Sequence, residues 1–292
     1  MGPLLLVLTT FIWGTAFLAQ KYGADSFGPF ALTSLRNFLG GGFLLALLLL
    51  RRRPAAAPLG RSIAAGVWCG VPLFAAMLAQ QIGIESTTPG ISAFLTTNYV
   101  FFVPLGAMAL TRKAPRPAVW CGMALALAGT WLISMSGETM TLGRGEAWTI
   151  LCAALFSVQM LAVDHFAPKC DVLTMSCSQL FTAAVCAAPF MLLGSESARL
   201  AELSFSFKAL WPLVYVGVFS SGIAYTLQNF GQARTPPALA AILLSLESVF
   251  GALSGYVVRG DVMTTAQFTG CALVFLATVV PQLPLKSDCQ TK

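Results

Sequence analysis

The sequence predicts an all-α, polytopic membrane protein of ten transmembrane helices, arranged as two inverted five-helix repeats. Hydrophobic residues make up 57% of the 292-residue chain and charged residues only 10%, with a mean hydropathy of +0.79. A soluble domain carries about a quarter charged residues. Apolar runs of about 18 residues or more recur along the chain, each long enough to cross the hydrocarbon as a helix. One long stretch also reappears 148 positions later.

The repeat is clearest for residues 80–132. At a shift of 148 positions Gln80 falls on Gln228 and Gly83 on Gly231. The same shift gives the further pairs Thr87/Thr235, Pro89/Pro237, Phe102/Phe250 and Gly122/Gly270. A repeat of this size indicates two related halves. Because each half contains five spans, an odd number, the second half crosses the membrane in the opposite sense, which is typical of alternating-access carriers.

Unbroken apolar runs exclude the alternating pattern of a membrane barrel, so the spans are helices. The ten predicted spans are 3–20, 29–50, 63–83, 89–110, 117–135, 146–166, 172–193, 210–230, 236–258 and 264–283. The predicted domains are a first repeat at 1–135, an external linker at 136–145, a second repeat at 146–283 and a cytoplasmic tail at 284–292.

The distribution of lysine and arginine predicts the orientation. With the N-terminus inside, eleven of these residues fall on inner segments and five on outer ones, with Arg36 inside a span. The positive-inside rule then places both termini in the cytoplasm, in a prokaryotic inner (plasma) membrane. The net charge of +6 reports this topology, so no nucleic-acid partner is expected.

The sequence lacks the signatures of enzymes and metal sites. There is no phosphate-binding Gly-x-x-x-x-Gly-Lys-Ser/Thr loop, and none of the eight cysteines forms a Cys-x-x-Cys pair. The single histidine, His165, lies beside Asp164 at the end of a span, where a solvated helix terminus is favoured over catalysis. We therefore expect no enzyme activity, no cofactor and no metal.

Polar side chains inside the spans are the candidates for contact with a substrate. They are Gln80, Asn98, Tyr99, Gln159, Tyr225 and Gln228, with Trp13, Trp68 and Phe94 as apolar wall residues. Each amide has an alternative role, since a buried amide also ties one helix to another. Together they suit an amphipathic, weakly charged solute. The pairs Gly66/Gly70 and Gly251/Gly255 indicate close helix packing.

Two charged residues lie within spans. Arg36 is about seven residues into the second span, roughly 10 Å deep; such a charge suggests function, but its long stem also allows it to reach the interface or backbone carbonyls. Glu247 lies about ten residues past Pro237, roughly 15 Å deep and near the midplane. An acid there exchanges its proton when water arrives, which suits proton coupling. The alternative is a tie between the ninth span and a neighbour, Arg36 included.

Several short motifs resemble those of one transporter family. Trp13-Gly14-Thr15 in the first span, Arg36 in the second, and the run Ser245 to Phe250 followed by glycines in the ninth are similar to the drug/metabolite transporter superfamily. In particular the chain resembles the EamA family, with two EamA domains of five helices, over residues 4–281. It departs from the pattern at Ser248, where the family has a proline. The resemblance implies ion-coupled or exchange transport of metabolites, amino acids or drugs, and a structural role for Arg36.

We therefore expect a secondary-active transporter that exports a small amino-acid-like or amphipathic solute by alternating access. Its partners are the solute, the lipid bilayer, and a proton or exchanged solute, and the chain is expected to be a monomer or weak homodimer. The alternative is a non-transporting membrane component, such as a lipid-carrier flippase subunit or a sensor on the same fold.

Overall fold

The computed structural model describes residues 1–52, 55–134, 143–193, 196, 207–259 and 262–283. Every regular element within these residues is helical. Nine helical stretches in the described part of the chain have the length and hydropathy to cross a membrane, and the first span adds a shorter apolar stretch, Gly2–Phe17. All ten predicted spans are thus present as helices.

The helices follow the predicted spans closely. In the first half they are Gly2–Phe27, Pro29–Leu50, Leu59–Ser86, the pair Pro89–Thr97 and Tyr99–Thr111, and Pro117–Ser134. In the second half they are Arg144–Phe166, Val172–Leu193, Phe207–Val214 with Tyr225–Gln232, Pro237–Leu244 with Leu246–Ser254, and Thr265–Val279. Short 3-10 turns follow at Ala167–Lys169 and Val280–Gln282, and π-helical stretches lie at Tyr215–Ala224 and Gly255–Arg259. Four helices begin with proline, whose missing N–H costs nothing at that position.

The fourth and ninth spans are interrupted, where the sequence predicted continuous helices. The breaks lie at Asn98 and Ser245. The amide of Asn98 donates to the carbonyls of Phe94 and Leu95, at 3.2 and 3.0 Å, and the Ser245 hydroxyl donates to the carbonyl of Ile242 at 2.7 Å. Both breaks coincide with side chains that bond back onto their own helix, an arrangement that often bends helices, and neither has a proline at the break itself.

One helix at the junction of the two halves begins slightly earlier than the predicted span. The sixth span begins at Arg144, inside the predicted linker and two residues before the predicted start. The remainder of that linker, residues 136–142, and the predicted tail, residues 284–292, lie outside the described residues.

The two halves pack as exchanged copies of each other. The third span packs against the sixth and seventh, and the eighth packs against the first and second. A Cβ added to Gly83 would lie 3.1 Å from the carbonyl oxygen of Gly145, and one added to Gly231 would lie 3.1 Å from that of Gly2. Gly83 and Gly231 are corresponding positions of the two repeats, 148 positions apart. Their contact partners, Gly145 and Gly2, therefore correspond as well, at a separation of 143 positions.

A pair of hydrogen bonds extends this correspondence to the second and seventh spans. The Ser34 hydroxyl donates to the carbonyl of Ala184 at 3.1 Å, and the Cys177 thiol donates to that of Gly41 at 3.6 Å. Both 34/177 and 41/184 are 143 positions apart, so the two bonds are one contact in exchanged copies. The structure therefore has a pseudo-two-fold axis between its halves.

The glycine pairs bring helix backbones together. A Cβ on Gly66 or Gly70 would lie 2.5 or 2.7 Å from a carbonyl oxygen of the seventh span, and one on Gly14 would lie 2.7 Å from the amide nitrogen of Gly251. Close packing at these positions is confirmed. The role of Gly255 stays a prediction.

Candidate substrate cavity

A cavity lies between the two halves. Side chains of the first, second, third, fourth, sixth, eighth and ninth spans line it. Its apolar wall consists of Trp13, Phe17, Phe156, Met160 and Leu244. Its polar groups are Gln20, Arg36, Gln80, Thr96, Tyr99, Ser220, Tyr225, Gln228 and Glu247. Convergent polar groups in a cavity between helices are typical of a small-molecule site.

Corresponding positions of the two repeats face each other across the cavity. Gln80 and Gln228 both line it, as do Tyr99 and Glu247. The phenol of Tyr99 donates a 3.3 Å hydrogen bond to Oε1 of Glu247, and the two residues are 148 positions apart. This bond therefore crosses the pseudo-two-fold axis.

The two helix breaks position Tyr99 and Glu247 in the cavity. Tyr99 is the first helical residue after the break at Asn98, and Glu247 is the second residue after the break at Ser245. Both side chains are buried, at 3% and 4% exposure. Carrier sites are typically formed where membrane helices are discontinuous, and the cavity lies at two such points.

Arg36 is buried and is held by three neutral side chains. Its Nε donates to the hydroxyl of Ser221 at 2.9 Å, Nη1 donates to Oε1 of Gln20 at 3.0 Å, and Nη2 donates to the hydroxyl of Ser220 at 3.0 Å. The partners anticipated for it, namely backbone carbonyls, the interface or Glu247, are not the ones it uses.

Buried amides on both sides of the cavity are only partly paired. Nε2 of Gln228 donates to Gln232 at 2.8 Å and to Gln159 at 3.4 Å, while Nε2 of Gln80 donates to the hydroxyl of Thr96 at 3.4 Å. Oε1 of Gln228 and Nε2 of Gln159 are buried without a partner in the described residues. Such atoms in a native protein call for an explanation.

Trp13 and Tyr225 form an aromatic part of the cavity wall. Their ring centroids lie 4.8 Å apart, and the indole N–H of Trp13 donates to the carbonyl of Ser220 at 3.1 Å. This bond fixes the orientation of the indole in the cavity wall, because an indole has a single donor.

Four predicted site residues lie outside the lining. Trp68 is 70% exposed on the outer surface, because the glycine face of its helix turns toward the seventh span. Phe94 packs on Trp131 with ring centroids 5.3 Å apart. Asn98 bonds to its own helix at the break in the fourth span. Gln159 is fully buried and reaches the cavity only through its bond to Gln228.

Several lining residues were missed in the sequence. They are Phe17, Gln20, Thr96, Phe156, Met160, Ser220 and Leu244. The apolar ones carry no signal in a chain that is apolar throughout. The adjacent serines Ser220 and Ser221, in the middle of an apolar span, were the one available indication of a polar partner for Arg36.

The described residues contain no group of three or more His, Cys, Asp or Glu side chains close enough to hold a metal ion. The seven cysteines among them are all free. The expectation that the protein needs no metal or cofactor stays a prediction.

The fold and the cavity between its halves define a multi-pass helical membrane protein built from an inverted repeat. The chain belongs to the EamA-like transporter family, whose sequence model matches residues 1–135 and 143–280. Its function is therefore membrane transport of the kind found in that family. The resemblance read from the motifs is confirmed.

Individual relatives match over nearly the full chain. An "uncharacterized transporter" of Archaeoglobus fulgidus is 26% identical over 279 residues, which cover 95% of this chain and 84% of the relative. The threonine/homoserine exporter RhtA of Escherichia coli is 24% identical, covering 99% and 93%. A solved crystal structure superposes with a TM-score of 0.79 at 22% identity and covers 99% of both chains. This likeness confirms the predicted fold class.

Proposed function

We propose that this transporter is a secondary-active carrier that exports a small, amino-acid-like or amphipathic solute by alternating access. The observation that carries the proposal is the cavity between two exchanged halves, lined by Gln80 and Gln228 at corresponding positions. In inverted-repeat carriers one half rocks against the other around such a site. The name of the Escherichia coli relative, an exporter of threonine and homoserine, supports the amino-acid class and the direction.

The proposed orientation places both termini in the cytoplasm and the chain in the inner membrane. It rests on the excess of lysine and arginine on the segments assigned to the inner side. In this orientation the start of the first span is cytoplasmic, and the start of the sixth span at Arg144 is external.

The proposed coupling group is Glu247. It is the carboxylate among the residues that line the cavity. It is buried, and it accepts a hydrogen bond from the phenol of Tyr99 rather than from a cation. A carboxylic acid in such a place exchanges its proton with water that enters from one side and then from the other. Proton and solute would then occupy the cavity alternately.

A flux assay in proteoliposomes tests the proposal. We expect saturable uptake of radiolabelled L-threonine, L-homoserine or another proteinogenic L-amino acid, driven by a pH gradient. Gln80→Ala and Gln228→Ala are expected to raise the KM by roughly fivefold or more, because each loses a hydrogen bond to the solute. Gln81→Ala is the matched control, since Gln81 is equally buried but lies outside the lining.

Three results would contradict the proposal. Absence of flux for every amino acid would indicate a non-transporting component that requires a partner. Equal effects of the Gln81 variant and the two cavity variants would show that the amides act as structural ties. Loss of folding in both cavity variants, without a selective change in transport, would show the same.

A further inference from the structure

Arg36 is the cation among the residues that line the cavity, and Glu247 is the carboxylate. The structure gives each of them neutral partners. Arg36 donates to one amide and two hydroxyls, while Glu247 accepts from a phenol. No ion pair joins Arg36 to an acid within the described residues. An arginine and a glutamate thus share one cavity without forming an ion pair.

A buried arginine without a counter-ion is unusual. Taking a charge out of water costs several kcal/mol, and neutral dipoles offset only part of that. Arg51 shows the common arrangement in the same chain: its Nη1 lies 2.9 Å from Oδ2 of Asp171, at the end of the second span. Arg36 instead borders an open volume, where a mobile anion can supply the missing charge.

The guanidinium also has donors to spare. It carries five N–H groups, and Gln20, Ser220 and Ser221 accept three of them. One N–H therefore remains on each terminal nitrogen. A carboxylate accepts two such bonds at once, which makes this pair specific for a planar anion as well as favourable.

The packing around Arg36 holds the group in place. A Cβ on Gly40, one turn further along the second span, would lie 2.7 Å from the carbonyl oxygen of Gly217. This close approach brings the second span against the π-helical stretch Tyr215–Ala224, which presents Ser220 and Ser221 together. π-Helical segments occur frequently at functional sites. The three acceptors orient the guanidinium but leave its charge uncompensated.

We infer that Arg36, positioned by Gln20, Ser220 and Ser221, is a carboxylate-binding residue, and that the transported solute is a zwitterion whose carboxylate binds Arg36 and whose ammonium group binds on the side of Glu247. The inference rests on the proposed transport function and names the chemical class of its solute. It also makes the ammonium group of the solute and the coupling proton competitors for Glu247.

Matched ligands test the inference on the wild-type protein. The probes are L-threonine, L-threoninamide, which lacks the carboxylate, and L-threoninol, which carries a neutral hydroxymethyl in its place. We expect both analogues to compete for transport and binding roughly tenfold to a hundredfold more weakly than L-threonine, since a charge-assisted pair of bonds is lost. Analogues that compete as well as L-threonine would overturn the inference while leaving transport intact.

Variants locate the effect at Arg36. In Arg36→Gln we expect L-threonine and L-threoninamide to bind equally weakly, so that the preference disappears. Arg234→Gln is the matched control, because Arg234 is exposed and does not line the cavity. If Arg36→Gln fails to fold, Ser221→Ala replaces it, and a severalfold loss of the carboxylate preference is expected there.

The outcomes separate the two proposals. The inference alone is overturned if flux and binding do not depend on the carboxylate of the solute. It is also overturned if an Arg36→Gln variant keeps the preference for that carboxylate. A lower melting temperature in Arg36→Gln with the ligand preference unchanged shows a structural tie between spans and overturns it as well. Absence of any amino-acid flux in the wild type overturns the proposed function and the inference together.

Discussion

The two ends of the pseudo-two-fold bundle have the same packing but different polar contacts. At one end, Gly83 and the following turn lie against the start of the sixth span, and the hydroxyl of Thr87 donates to Oε1 of Glu146 at 2.7 Å. At the other end, Gly231 lies against the start of the first span, but the corresponding hydroxyl of Thr235 is buried without a partner in the described residues. Pro3 occupies the position that corresponds to Glu146.

A second pair of ends is capped on both sides, but by different residues. Asp171 caps the seventh span by accepting from the amide of Thr174 at 3.0 Å. Burial opposes its ionisation, but the hydrogen bonds it accepts, from Thr174 and Arg51 among others, hold the pKa of Asp171 below its usual range. The corresponding position before the second span is Gly28, with a φ of +81°. There the cap is Glu196, which accepts from the amide of Ala31 at 2.7 Å.

Duplication thus preserved the helix faces and let the ends diverge. Backbone contacts at glycines tolerate no added atom, so both copies keep them. Polar caps are local and can be supplied by any nearby segment. Thr87 is tied to Glu146 by a charge-assisted bond, whereas the hydroxyl of Thr235 has no partner in the described residues. We expect the contact at Thr235, which is cytoplasmic in the proposed orientation, to be the weaker of these two.

The largest expected effect concerns Tyr99 and Glu247, the corresponding pair in the cavity of which one member is a carboxylic acid. Glu247→Gln keeps the shape and removes the titrating proton, so we expect pH-driven transport to fall to background while exchange of labelled for unlabelled L-threonine continues. Tyr99→Phe removes the 3.3 Å hydrogen bond but keeps the acid, so coupling is expected to persist. Wild-type dependence on the pH gradient in Glu247→Gln would end the coupling role.

A smaller effect tests the symmetry of the packing. A Cβ on Gly83 would meet Thr149 and one on Gly231 would lie 2.7 Å from Cγ of Leu6, so we expect Gly83→Ala and Gly231→Ala each to lower the unfolding free energy by about 2–3 kcal/mol. Gly42→Ala is the control, because no atom lies within 4 Å of its Cβ position. It is expected to be neutral or slightly stabilising. Chemical denaturation in detergent micelles measures all three.

Strongly unequal losses at the two glycines would contradict the exchanged-copy packing. Stability losses that differ by less than about 1 kcal/mol lie within the usual variation of such substitutions and would support it.

The sequence predicted the fold better than the site, for physical reasons. Apolar runs and the shift of 148 positions reveal spans and their pairing, because both depend on patterns along the chain. Gln80, Gln228 and Tyr225 were identified as cavity residues, since polar groups stand out in apolar helices. Trp68 was misplaced because a tryptophan carries no sign of which helix face meets lipid.

The breaks at Asn98 and Ser245 were also missed. They coincide with side chains that bond back to their own helices, and neither residue is a strong helix breaker in sequence. The partners of Arg36 lie 16, 184 and 185 positions away, a separation that only tertiary packing reveals. The carboxylate-binding role that we infer for Arg36 differs from the structural role that the family resemblance implies.

The smallest expected effect isolates the polar difference between the two ends. Thr87→Val removes a donor to a buried carboxylate and should lower the unfolding free energy by about 1 kcal/mol. Thr235→Val removes a hydroxyl that has no partner, so the same measurement should show no loss or a slight gain. In Glu146→Gln the cost of Thr87→Val should shrink, because the bond it removes is no longer charge-assisted.

If Thr235→Val lowers the unfolding free energy as much as Thr87→Val does, the hydroxyl of Thr235 has a hydrogen-bond partner in the membrane. The two ends would then be equally tied. A loss of stability at Thr87 alone would mean that the contact at Thr235 is the weaker one. The Thr87→Val variant should then also make the Glu146 end easier to open. A water-soluble maleimide would show this as faster modification of a cysteine placed at Ser86.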